Sequence, residues 1–417
     1  MSKRFPPRRY LIFLSSILGP LTTNAIIPLF EPLRANFSLA TISQVSLAIS
    51  FYIFPFALFQ LFGGTFSDVV DKKKVMILGY IIFIGSLLTS LLAIFIRVYW
   101  LFLLAFFIQG IGFSFINPTV LAILSIITPE EKEGAIMGVF NSSAGIGISL
   151  GSFIAGLLVS LAGGWRYLFI INPIISTLSL FLFLYGIKGC EDLICKPYEL
   201  SPPEGSPEER SFLGKTLTQF KENLTREILL LGIIGFLCFF TVITLTNTLG
   251  EQMMVALPNV SDKEIVSIVS LTLTINGLIS IFMSPVTGYV LKKISPLIMM
   301  FIGFIFLLAV IGLPLAEHIP TFMVLSFLIY IGSVFIWPSL FKSAMDLNPT
   351  AKGTNSAIIN SLRFLGYASV GPFYVLIGIP TLFMIVIILD ILGIGILILI
   401  NHLRKSSRKK IENKRKE

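Results

Sequence analysis

Charge is what this sequence has least of. Charged residues occupy 13% of its 417 positions against 55% hydrophobic ones, where a water-soluble domain carries roughly a quarter charged residues. That shortage excludes an ordinary soluble globule and makes lipid the expected solvent for most of the surface. Cysteine is also scarce. Cys190 and Cys195 lie in a polar stretch and Cys238 in an apolar run, so no disulfide framework is expected. With His318 and His402 the only histidines, a zinc site on Cys190 and Cys195 lacks ligands, and no metal or cofactor is expected. The chain also lacks a Gly-x-x-x-x-Gly-Lys-Ser/Thr loop, a His-Glu-x-x-His pair and clustered acids within its apolar runs, which argues against an enzyme.

What the chain has in abundance is apolar runs of about 20 residues, each long enough to cross roughly 30 Å of hydrocarbon as a helix. Twelve are expected. The first starts at Tyr10 behind a basic leader and, having no small-residue cleavage site, reads as an uncleaved helix. Five more follow at about 42–64, 75–96, 100–124, 135–161 and 167–187. Residues 188–227 are polar and rich in Pro and Glu, a solvated linker. The second six run at about 228–249, 265–291, 296–315, 321–345, 354–378 and 380–402.

The net charge of +9 reports topology and not nucleic-acid binding. If the amino terminus is cytoplasmic, the inside segments hold 26 of the 31 Lys and Arg residues, leaving Arg34, Arg97, Arg166 and Lys263 outside and Arg363 in a span. Both termini are therefore expected in the cytoplasm.

Between the second and third runs the chain reads GGTFSDVVDKKK, residues 63–74. Gly64 near a helix end admits a neighbouring backbone, and Asp68 one turn later can accept from the exposed N–H groups of an adjacent helix N-terminus. That makes a latch; the alternative is an ordinary basic loop. Taken as Gly64, three residues, Asp68, two residues, then Asp71, Lys72, Lys73 and Lys74, the stretch resembles the signature between the second and third helices of the major facilitator superfamily, which consists of membrane transporters. Asp71 stands where that family has a second Gly. The loop Gly288–Lys293 echoes the stretch in the second half, as two related bundles would.

The fifth run carries Gly138, Gly147, Gly151, Ser152, Ala155 and Gly156. Spaced small residues form a groove for close helix packing. The pattern looks like the fifth-helix glycine motif of the antiporters in that superfamily, with Ser152 in place of Pro and Ala155 in place of Gly. In the family the groove lies between the bundles and accompanies export driven by ion exchange; packing alone is the other reading. The fourth run has Gln109, Gly110, Gly112, Asn117 and Pro118, similar to the family's fourth-helix motif, but Phe106 replaces the Arg tied there to proton coupling. Trp165 and Arg166, with Asn172 and Pro173, look like the drug-exporting branch.

Charges within spans cost about 2.5–3.5 kcal/mol each near the midplane on the insertion scale. Arg363 and Asp390 both fall roughly 13–15 Å deep. They are expected to pair, either as a structural salt bridge or with Asp390 carrying protons and Arg363 facing a substrate. Glu31 is a rim carboxylate or a proton entry site. Asn24, Gln109, Asn117, Asn276, Tyr330, Trp337 and Arg363 are candidates for lining a cavity, or the amides for ordinary interhelical bonding. Aromatic residues of the first, fourth, seventh and tenth helices suit a lipophilic or amphipathic ligand unless they face lipid.

The resemblance implies an all-α membrane protein, a major facilitator fold of twelve transmembrane helices in two pseudo-symmetric six-helix bundles, residues 1–187 and 228–403. The linker 188–227 and a basic tail 404–417 would be cytoplasmic. It further implies a monomeric multi-pass protein of the cell membrane that exports a small organic molecule by alternating access, with protons as the exchanged ion. An uncoupled facilitator or an importer remains the alternative, and a membrane-embedded sensor or enzyme a more distant one.

Overall fold

The computed structural model describes residues 6–69, 71–128, 133–160, 164–194, 224–347 and 352–414, with the side chains at 61–69, 125, 133–139, 141, 352–354, 356–357 and 406–414 outside the description. Among the described residues all regular structure is helical. The spans are α1 (Pro7–Phe37), α2 (Ile42–Val69), α3 (Lys72–Ile96), α4 (Tyr99–Ile127), α5 (Glu133–Ser160), α6 (Tyr167–Gly186), α7 (Arg226–Ala256), α8 (Asp262–Val290), α9 (Pro296–Leu315) and α10 (Ile319–Met345). The helix Lys352–Lys414 is broken at Gly378 into α11 (352–377) and α12 (379–414). Twelve spans in two sets of six make this an all-α, multi-pass membrane protein.

Local chemistry sets the ends. Asp71, Thr225, Ser261 and Ser295 each accept from a backbone N–H of the first turn of the helix they precede, which satisfies a donor the helix cannot. Gly378 has φ 70° and ψ 174°, a backbone region open in practice to glycine, and Pro380 follows, so two spans meet in a turn of one residue. In α1 the ring of Pro28 supplies no N–H, and Ile27–Leu29 tightens to a 3₁₀ turn.

Several boundaries move outward from those expected. α7 continues to Ala256 instead of ending near 249, which brings Glu251 inside a helix. The basic stretch after residue 403 is helical through Lys414, and Arg404 bonds Glu227 at the start of α7 at 2.5 Å. Such extensions follow from helix propensity in polar flanks that hydropathy alone does not count.

The halves repeat one another. α3 pairs with α4 as α9 pairs with α10: a Cβ on Gly79 would stand 3.0 Å from the Gly112 carbonyl oxygen, and one on Gly303 2.7 Å from that of Gly332. The same contacts recur six helices apart, with α1 on α5 and α7 on α11. Lipid-facing sides remain apolar, with Phe95, Ile174, Phe181, Phe282 and Leu376 exposed, as a hydrocarbon solvent allows. Asn36, the acceptor of a glycosylation-type sequon, is buried and bonds Ile94 O at 3.1 Å and Arg166 at 3.0 Å.

Candidate functional site

The halves meet along two antiparallel seams, α5 with α8 and α2 with α11. In the first, a Cβ on Gly156 would lie 2.5 Å from Ser270 Cβ and one on Gly145 3.0 Å from Gly277 O, while Ser149 Oγ donates to Thr274 O at 2.9 Å. In the second, the Gly371 N–H donates to Ser50 Oγ at 3.2 Å. The glycine motif thus divides its work. Gly147 and Gly151 face α1 inside the first half, where Cβ atoms would meet Ile17 O at 2.7 Å and Leu21 O at 2.3 Å. Only part of the expected inter-bundle groove lies between bundles, at Gly156 and at Gly145. Ser152 is fully buried with its hydroxyl unpartnered. Gly138 lies in α5, its surroundings outside the description.

At the face opposite the chain ends the first half closes on the second. Ile27, Pro28 and Glu31 of α1, Asn247 and Glu251 of α7 and Val266 of α8 line one small cavity. Glu31 accepts twice from Arg34 at 2.6 Å, and Arg34 stands within electrostatic reach of Asp262 at the start of α8. Glu251 accepts from the Tyr374 hydroxyl of α11. Neither polar atom of the Asn247 side chain has a partner among the described residues, although the residue is 2% exposed.

Nearer the middle, the Arg363 guanidinium carbon lies 3.7 Å from the ring centroid of Trp337, 4.2 Å from Phe364 and 4.8 Å from Phe239. Cation–π contacts contribute about 0.5–2 kcal/mol apiece, so the box offsets much of the cost of a cation at this depth. Phe364 in turn meets Phe56 of the first half at 4.8 Å, edge to face. Tyr330 bonds Thr246 at 3.1 Å.

The expected Arg363–Asp390 pair is absent among the described residues. Asp390 is fully buried on α12, where Oδ1 accepts from Thr241 Oγ1 at 2.7 Å and Oδ2 has no partner. Depth along two helices was legible in the sequence; the rotation of each helix about its axis was not, and rotation sends Arg363 to a box of rings and Asp390 to the Thr241 hydroxyl of α7. Three amides expected to line a cavity are engaged in packing within a half. Gln109 bonds Thr22 at 2.7 Å, Asn24 bonds Pro20 O at 2.8 Å, and Asn276 bonds Ser326 at 2.7 Å. Asn117 is partly exposed on α4.

The expected latch is described in part. Gly64 and Asp68 fall in the last turns of α2, their side chains outside the description. Asp71 caps α3 by accepting from the Lys73 N–H at 2.8 Å. Lys73 Nζ reaches Glu191 at 3.1 Å, and Lys72, expected in the headgroup region, is buried. Phe106 is buried against Phe102 with centroids 4.8 Å apart.

The sequence profile described as the Major Facilitator Superfamily matches residues 12–372. The chain belongs to this superfamily. The chain is 23% identical over 364 residues to the MFS-type transporter YttB of Bacillus subtilis, covering 84% of each chain. Over 141 residues it is 33% identical to the methylenomycin A resistance protein of the same species, covering 34% of this chain and 29% of that one. In structure it is similar to a POT family transporter solved with 5-aminolevulinic acid, with a TM-score of 0.73, 16% identity and 95% of each chain covered. It is therefore a membrane transporter.

Sequence reasoning missed four of the chain's inward-facing side chains. Glu251 lies past the expected end of α7, and Tyr374, inside the expected eleventh span, carries no motif. Tyr52, buried without a partner for its hydroxyl, and Tyr367, within electrostatic reach of both Tyr52 and Arg363, carry no motif. A tyrosine one helical turn after Arg363 was the available signal.

Proposed function

We propose that this protein is a secondary active exporter of a small organic compound, working by alternating access with inward proton flow as the drive. The observation that carries the reading is the α5–α8 seam. Backbones that touch through Gly145, Gly156 and Gly277 form a smooth, sparsely bonded surface on which one six-helix half can rock against the other. The clasp at the face opposite the chain ends corresponds to one end of that motion. With both termini in the cytoplasm, as the distribution of Lys and Arg supports, the captured state is closed to the outside. The resistance name of the methylenomycin relative supports outward transport.

Asp68 would hold the cytoplasmic end closed in the other state, and Asp390 and Glu31 are the carboxylates assigned to protons. Their surroundings favour Asp390, since Arg34 already engages Glu31 through both oxygens. The protein acts as a monomer in this reading. A second reading, an uncoupled facilitator or importer, is favoured by Phe106, which places a packed ring where a coupling Arg would stand.

Everted membrane vesicles separate the two. Export coupled to protons predicts accumulation of the right compound from a panel of lipophilic cations, neutral drugs and anionic metabolites, abolished when the pH gradient is collapsed. Equilibration without accumulation, indifferent to the gradient, refutes coupled export.

A further inference from the structure

We propose that the ring box around Arg363, beside the seam between the halves, takes an organic anion, a compound whose carboxylate or similar acidic group lies on Arg363 and whose flat apolar body lies against the surrounding rings. This rests on the transporter reading above and adds the charge of the cargo.

The argument starts from an excess of donors. A guanidinium carries five N–H groups and accepts nothing. Around Arg363 stand Trp337, Phe364 and Phe239, whose faces attract the charge but give it no oxygen. Among the described residues its Nε, although buried, has no hydrogen-bond partner, and no carboxylate reaches ion-pair distance. The Cys238 thiol and the Tyr367 hydroxyl are the groups within its electrostatic reach.

Asp390, the buried acid of α12, is taken up by Thr241 of α7 and makes no ion pair with Arg363 among the described residues. The donors continue across the seam. Tyr367 lies within reach of Tyr52 in the first half, whose buried hydroxyl has no partner. Phe364 touches Phe56 across the same seam, so the ring box around the guanidinium, built from the second half, borders the first half.

A cation kept at this depth without an acid, among hydroxyl donors and ring faces, is complementary to a planar acid group. The guanidinium fork matches a carboxylate with two parallel bonds. The same charge repels a lipophilic cation, so basic drugs are poor cargo.

The intact chain in nanodiscs, with Trp100 and Trp165 replaced by Phe, leaves Trp337 as the sole tryptophan, excited selectively at the red edge and in contact with Arg363. The probes are 2-naphthoate, 2-naphthamide and 2-naphthylmethylamine, which share a ring system and differ in charge. Naphthoate is expected to quench Trp337 saturably and to bind at least about tenfold tighter than the amide. R363Q should weaken naphthoate by a similar factor, and R363K, which keeps the charge and loses the fork, should fall between. Amide or amine binding as tight as the acid, or an R363Q affinity equal to wild type, overturns the proposal. If R363Q fails to fold, by thermal midpoint, the ranking of the three probes on the unaltered site decides alone. Flux in proteoliposomes keeps the two readings apart. Transport of a neutral or cationic compound at an unchanged rate in R363Q overturns the anion site and leaves the transporter standing. Naphthoate bound selectively, with no compound moved under any gradient, supports the anion site and refutes transport.

Discussion

Replacing Gly156 with Ala tests whether the α5–α8 seam is a moving surface. The added Cβ would stand 2.5 Å from Ser270 Cβ and 2.8 Å from its Oγ, about 1 Å inside ordinary carbon contact. Turning χ1 can move the Oγ away but not the Cβ, which is fixed to the backbone of Ser270. The two helices must part, and overpacking of this kind costs about 1–3 kcal/mol. Since Gly156 and Ser270 belong to different halves, the cost falls on the state in which the seam is closed, and the conformational equilibrium should shift about 5- to 150-fold toward the other state.

The reporter is Asn247→Cys in a background without the native cysteines, because Asn247 lines the cavity at the clasped face and leaves no partner behind. A membrane-impermeant maleimide added from that face should label it markedly faster in Gly156→Ala. The control is Gly151→Ala, whose Cβ would meet Leu21 O at 2.3 Å inside one half. It should lower the thermal midpoint and leave labelling alone. Unchanged labelling in Gly156→Ala, with a midpoint lowered as in the control, refutes the rocking surface.

Asp390→Asn retains an oxygen to accept from Thr241, so the protein should fold. If Asp390 carries protons, transport by the variant should lose its dependence on the pH gradient; full rate with unaltered pH dependence rules the role out. Tyr374→Phe removes the hydroxyl that Glu251 accepts from and should lower stability by about 1–3 kcal/mol, read as an earlier midpoint on heating; no shift would mean that solvent replaces the bond. Lys73→Ala breaks a pair whose side chains are 33% and 46% exposed, and the loss should stay below about 1 kcal/mol. Burial pushes the Cys190 thiol up from its ordinary value of 9.0, against the pull of Arg9 and Arg8. Thiolate is therefore scarcer at pH 7 than for a free cysteine, and alkylation of Cys190 should be slow there and keep accelerating above pH 9; a rate equal to that of a free thiol at pH 7 would contradict the burial.

Hydropathy alone determined that the chain crosses the membrane and how many apolar spans do so. A 20-residue apolar run has one stable destination, and each run reports its fate without reference to the others. The spaced glycines of α5 were legible for the same reason, as local spacing with a local consequence. What only the tertiary structure decided is which way each helix turns. The spans are apolar nearly all round, so no stripe in the sequence tells the lipid side of a helix from its packed side. That rotation parts Arg363 from Asp390, places Arg363 among three rings at the seam, and assigns Gly147 and Gly151 to one interface and Gly156 to another. A residue's depth follows from counting along its own helix; its partner depends on the angle of every helix around it, which no single segment encodes.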